Sequence, residues 1–106
     1  MNNNDMLLRS SGIDRYNMIW FDLETTGFNP FKNEIIELAA LNNKSETYES
    51  FSKPEKRITP FITKITNITN EMVEEAPDEK TVISQFINFI KGDDNDKRTT
   101  YIIGHN

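Results

Sequence analysis

Asp22 and Glu24 lie one residue apart at the end of an apolar run, Asn17-Met18-Ile19-Trp20-Phe21-Asp22-Leu23-Glu24, and Thr25-Thr26-Gly27 follows them. The apolar, aromatic and branched residues read as a buried strand, and Gly27 with Asn29-Pro30 punctuates its end. Side chains alternate across a strand, so both acids point to one face while Phe21 and Leu23 point to the other. Two neighbouring carboxylates at the end of a core strand repel each other. A hard divalent cation, Mg2+ or Mn2+, relieves that repulsion because it takes oxygen ligands. The plain alternative is a strand whose last two acids simply reach solvent, and Asp-x-Glu by itself does not separate the two readings.

The elements that must position this pair follow along the chain. A second strand is expected at Glu34–Leu41, closed by a turn at Asn42-Asn43-Lys44. Glu46–Phe51 alternates polar and apolar residues as an edge strand does, and Pro54 stops it. Together these three strands predict an antiparallel meander. Thr69 or Asn70 caps a short helix through Val73. Pro77-Asp78 opens a longer helix over 78–91, with Val82, Phe86, Phe89 and Ile90 as its apolar stripe and Gly92 as its stop. That helix supplies the crossover that a strand parallel to the first requires, and Tyr101–Ile103 is the candidate. The near repeats of Ile and Thr between Ile58 and Ile68 are too short to be structural repeats. Residues 1–16 are polar and read as a mostly disordered lead. The acids of Asp93-Asp94-Asn95-Asp96 read as a solvated turn, because the spaced ligands and closing Glu of a calcium loop are absent.

With 106 residues, 27% charged and 36% apolar, the chain has the composition of one soluble globular domain. No apolar run is long enough to span a membrane, and no signal peptide is recognisable at the start. The absence of cysteine excludes disulfides and thiolate zinc sites and points to an intracellular protein. A net charge of −5 argues against a surface that coats nucleic acid broadly. It leaves room for an acidic pocket neutralised by metal, with a few cations holding phosphates. Lys53, Lys56, Arg57 and Lys64 are the candidates, or they are merely solvated.

Three stretches, in this order, resemble the DEDD (DnaQ-like) 3′–5′ exonuclease superfamily, whose fold is RNase H-like. Phe21-Asp22-Leu23-Glu24-Thr25-Thr26-Gly27 looks like its first motif. Ile65-Thr66-Asn67-Ile68-Thr69, with Ala76-Pro77 soon after, is similar to its Ile-Thr-Gly-Ile-Thr segment. Ile102-Ile103-Gly104-His105-Asn106 looks like the opening of its second motif. Asn67 stands where the family has Gly, and Asn is among the better residues for positive φ. The resemblance covers 17–106 and implies an α/β, RNase H-like mixed sheet: three antiparallel strands, a crossover helix, and a fourth strand parallel to the first. It corresponds to the front portion of the family domain, C-terminally incomplete. The later metal-binding acids and the general base (His in one branch, Tyr in another) would fall past Asn106.

The resemblance implies removal of nucleotides from 3′ ends by a two-metal in-line displacement, the Mg2+ or Mn2+ ions about 4 Å apart. Asp22 and Glu24 would be the metal-binding catalytic acids. Leu23, Thr25, Thr26, Ile68 and Asn106 would contact substrate. Turn formation is the other role open to the threonines, and core packing the other role open to Ile68. His105, the only histidine, matches a non-catalytic position and reads as structural or substrate-adjacent. Glu37 shares a face with Ala39 and Leu41, where a cross-strand partner explains it as well as a metal does. The expected partner is single-stranded or 3′-ended DNA or RNA, with a C-terminal half or a polymerase-type protein completing the unit. With two of four acids present, the chain by itself is expected to be inactive. A non-catalytic nucleic-acid- or partner-binding remnant of such a domain is the alternative. Aspartate-nucleophile phosphatases also begin with an acid-x-acid strand, but Glu24 is one methylene too long for their general acid.

Overall fold

The computed structural model describes residues 15–105. Its centre is β1 (Asn17–Thr25), which pairs on one side with antiparallel β2 (Ile35–Asn42) and on the other with parallel β4 (Thr100–His105). β3 (Thr47–Phe51) pairs antiparallel with β2, so the sheet order is β3-β2-β1-β4. This is the mixed sheet read from the sequence, with β4 running two residues further than expected, through Gly104 and His105. Three helices connect β3 to β4: α1 (Pro60–Thr66), α2 (Asn70–Val73) and α3 (Glu79–Lys91).

α3 is the crossover. Asp78 caps it, its carboxylate accepting from the Thr81 N–H at 2.9 Å, and Gly92 ends it at φ 54°. Its Val82 is fully buried with Ile19, Leu38 and Ala40, and Phe86, Phe89 and Ile90 pack around them. The Phe86 ring lies 5.5 Å from that of Phe21. Tyr48 closes the far side by donating its hydroxyl to Gln85 Oε1 at 2.7 Å. One sheet face is thereby buried under α3.

α1 was not foreseen. Thr59 caps it through an Oγ1 that accepts from the Ile62 N–H at 3.3 Å, and Pro60 fills its first turn. It ends at Asn67, whose φ of 63° is the left-handed conformation expected of the residue replacing Gly. A second core, Ile36, Ile58, Ile68 and Val73, gathers beneath α1 and α2.

The acidic turn is more than solvated. Arg98 donates from Nη2 to Asp96 Oδ2 at 2.8 Å, which holds that carboxyl well below its usual range, and Arg98 also reaches Asn17 Oδ1 at 2.9 Å. This ties the entrance of β4 to the start of β1. Residues 1–14 of the expected disordered lead, like Asn106, lie outside the described residues. Tyr16, at its end, packs edge-on against Tyr101 with ring centres 5.3 Å apart. Among the described residues no helix is long and apolar enough to cross a membrane.

Candidate active site

Because β1 pairs Asp22 with Ala39 on β2 and with His105 on β4, the acid sits in mid-sheet with a neighbour on either side. Glu24 pairs with Glu37, and directly after it the register slips so that Thr25 pairs with Ile35. Ile36 is the extra residue of this bulge, and its side chain is fully buried. Alternation puts Asp22, Glu24, Glu37 and Ala39 on one face, away from α3, and Glu49 joins them from β3 opposite Ala39.

Asp22 is exposed and Glu24 half-buried. Neither carboxylate takes part in a hydrogen bond or ion pair among the described residues. The field they create is felt by Glu37, whose carboxyl is raised above its ordinary value, first by burial and then by the charges of Glu24, Glu49 and Asp22. Negative charge therefore accumulates on this face. No group of three or more His, Cys, Asp or Glu among the described residues is arranged to hold a metal ion. Two unpartnered carboxylates fit a weakly held hard cation whose remaining ligands are water or substrate.

The acids form the floor of a groove of about 740 Å³. His105 lines it beside Asp22, and Leu23 borders it from a strand position whose side chain packs on the opposite face against the core. Thr25, Thr26, Gly27 and Phe28 make one wall, and Thr59, Phe61, Ile62, Ile65 and Thr66 of the α1 segment make the other. Phe61 and Ile65 are 69% and 61% exposed, so the wall is apolar yet open to solvent. The threonines also build the turn: Thr25 Oγ1 donates to the Gly27 carbonyl at 2.6 Å, and Thr26 Oγ1 accepts from the Glu34 N–H at 2.9 Å. Thr26 thus keeps its own hydroxyl hydrogen to donate.

Of the residues expected to touch substrate, Leu23, Thr25 and Thr26 line the groove. Ile68 does not. It is 3% exposed in the second core, where the left-handed turn at Asn67 sends it inward. The apolar wall of the groove comes from Phe61, Ile62 and Ile65. Their signal was present in the sequence as Thr59-Pro60, a cap followed by a helix-starting proline. Lys53, Lys56 and Arg57 surround a separate hollow that also contains Glu55, Glu71 and Glu74. Lys64 is on α1, next to Ile65, but is not part of the groove lining.

A family model described as Exonuclease (RNase T) matches residues 19–105. The PolC-type DNA polymerase III of Caldanaerobacter subterraneus subsp. tengcongensis is 42% identical over 76 residues, which are 68% of this chain and 5% of that protein. Its counterpart from Latilactobacillus sakei subsp. sakei is 36% identical over 86 residues, 77% of this chain and 6% of that protein. The chain therefore spans only about one-twentieth of these relatives. Among solved structures, the nuclease domain of 3′hExo, a DEDDh family member bound to rAMP, superposes with a TM-score of 0.68 at 21% identity, covering 85% of this chain and 52% of that one. Exonuclease I from Methylocaldum szegediense gives 0.71 at 23% identity, covering 86% and 20%. Both share the fold.

Proposed function

Since the chain belongs to the RNase T exonuclease family, we propose that its groove is the 3′-end site of a 3′–5′ exonuclease, with Asp22 and Glu24 as the metal-binding acids. The observation that carries this reading is the pair itself: two carboxylates without a hydrogen-bond or ion-pair partner among the described residues, side by side on a sheet face in an apolar-walled groove that opens to solvent. A volume of about 740 Å³ lies in the range of small-ligand sites and suits one nucleotide.

The side chains divide the work by chemistry. Phe28 on one wall and Phe61 and Ile65 on the other offer apolar surface to the terminal base, where stacking tolerates any base. The Thr26 hydroxyl would donate to the sugar or phosphate of that nucleotide. Asp22 and Glu24 would hold Mg2+ or Mn2+. When bound, such ions lower the pKa of a coordinated water and neutralise charge that builds on the phosphate. Without them the acids would repel the phosphate, so substrate binding and metal binding should be coupled. His105, beside Asp22 in the sheet, lines the same groove.

The PolC-type relatives favour a DNA strand, and a polymerase as the larger setting. The test uses a 5′-labelled oligodeoxynucleotide with the chain fused to a family-type C-terminal half. Mg2+-dependent shortening by one nucleotide at a time, abolished by Asp22→Ala, is the expected result. Internal cleavage, or shortening that survives Asp22→Ala, would overturn the proposal.

A further inference from the structure

Phe28 and Phe31 are 99% and 96% exposed, more than any other large apolar side chains among the described residues. The loop that carries them is nevertheless braced throughout. Thr26 and Glu34 exchange a backbone hydrogen bond of 2.9 Å and a hydroxyl bond of 2.9 Å at its base. The Asn33 N–H donates to the Asn29 carbonyl at 2.8 Å, and Asn33 Oδ1 accepts from the Asn29 N–H at 2.8 Å. Asn29 Oδ1 in turn accepts from the Phe31 N–H at 2.9 Å. A Cβ on Gly27 would come within 2.6 Å of Asn33 Oδ1, so the Asn33 amide is packed tightly over the backbone. Two phenyl rings are therefore held in water by an ordered frame, forgoing the burial that such rings ordinarily gain.

Phe28 lines the groove, but Phe31 does not. We propose that Phe31 is a stacking platform for the base one position 5′ of the groove-bound nucleotide, with Lys32 beside it for the phosphate; this rests on reading the groove as a 3′-end site. Three residues of chain reach at most about 11 Å, so Phe31 serves a neighbouring nucleotide rather than a distant one. The local charge favours nucleic acid as the occupant. In a chain of net charge −5, the stretch from Thr25 to Asn33 carries a single charge, the cation Lys32, and its surface is otherwise amide and aromatic. An aromatic platform flanked by a cation is how single strands are bound without regard to sequence.

The test titrates the 106-residue chain, with Ca2+ present, against dTMP and against a thymidine tetranucleotide carrying 2-aminopurine at its last or penultimate position. Wild type should quench both fluorescent positions. Phe31→Ala should weaken tetranucleotide binding about tenfold and lose the penultimate quench. It should leave dTMP affinity unchanged, and Phe31→Trp should restore the tetranucleotide. Wild type binding neither ligand would overturn the groove reading and this assignment together. Wild-type binding with Phe31→Ala unchanged would overturn the assignment alone. Equal losses for dTMP and tetranucleotide would overturn it too, by showing that Phe31 acts only on the shape of the loop.

Discussion

Glu24 and Glu37 stand directly opposite each other on β1 and β2, the last pair before the strand register slips. Like charges facing across a sheet are destabilising, and the Glu37 carboxyl is raised first by its burial and then by the charges of Glu24, Glu49 and Asp22. The folded state therefore holds the Glu37 proton more tightly than the unfolded chain. Just above the ordinary value of 4.5 it binds more protons than the unfolded state, so stability falls as pH rises through that window. Glu37→Gln should remove this loss. At neutral pH, without metal, it should add a few tenths to about 1 kcal/mol, and the gain should vanish below pH 4.5. Urea denaturation of both proteins between pH 4 and 8 measures the gap; a gap that narrows as pH rises would contradict the account.

The same accumulated charge should make the site responsive to cations. Wild type should bind Mn2+ weakly, with a Kd on the order of millimolar, because two carboxylates leave most of the shell to water. Asp22→Asn should weaken that binding several-fold in a water-proton relaxation titration. Identical curves for the two proteins would show that the pair holds no metal.

Much of this site was legible because its parts obey local rules. The alternation of β1 put Asp22 and Glu24 on one face, and the α3 stripe with its length required the parallel partner that Tyr101–Ile103 provides. The Glu24–Glu37 pairing was not legible, since it depends on a bulge at Ile36 that no local pattern announces. The α1 wall was missed for another reason. Its branched Ile and Thr residues have little helix preference, and the helix is decided by the Thr59 cap, Pro60 and the packing of Ile62 into the second core. Ile68 could be read toward substrate or toward the core, because an apolar residue does not declare which side it faces. The turn at Asn67 settled that.

That turn gives a clean stability test. Asn67 occupies φ 63°, where a Cβ is strained but Asn is better tolerated than most. Asn67→Gly should be neutral or slightly stabilising, whereas Asn67→Ala should cost about 1 kcal/mol in thermal or urea melts. If Ala proves as good as Gly, the left-handed cap is not a constraint on the fold.

Gly104 poses a packing constraint. A Cβ there would lie 3.1 Å from Phe21 Cζ, closer than ordinary contact. Phe21 has little room to retreat, because its ring packs against Phe86 and the core around Val82. Gly104→Ala should therefore destabilise by about 1–3 kcal/mol. The strain should push apart β1 and β4, the strands that carry Asp22 and His105 side by side, so Mn2+ affinity should fall along with stability. A stable Gly104→Ala with intact Mn2+ binding would show that Phe21 yields freely.

The described residues supply two carboxylates and no third ligand arranged with them. The only histidine, His105, pairs in the sheet with Asp22. Groups that act as one catalytic unit lose most of their effect when any member is missing. The 106-residue chain alone should thus release essentially no mononucleotide from single-stranded DNA or RNA, even in millimolar Mn2+. It should still bind a 3′ end weakly through the groove. Fusion to a family-type C-terminal half should restore turnover by several orders of magnitude, and Asp22→Ala in that fusion should abolish it. Robust release by the isolated chain, itself lost in Asp22→Ala, would mean that Asp22 and Glu24 suffice with water and substrate completing the shell.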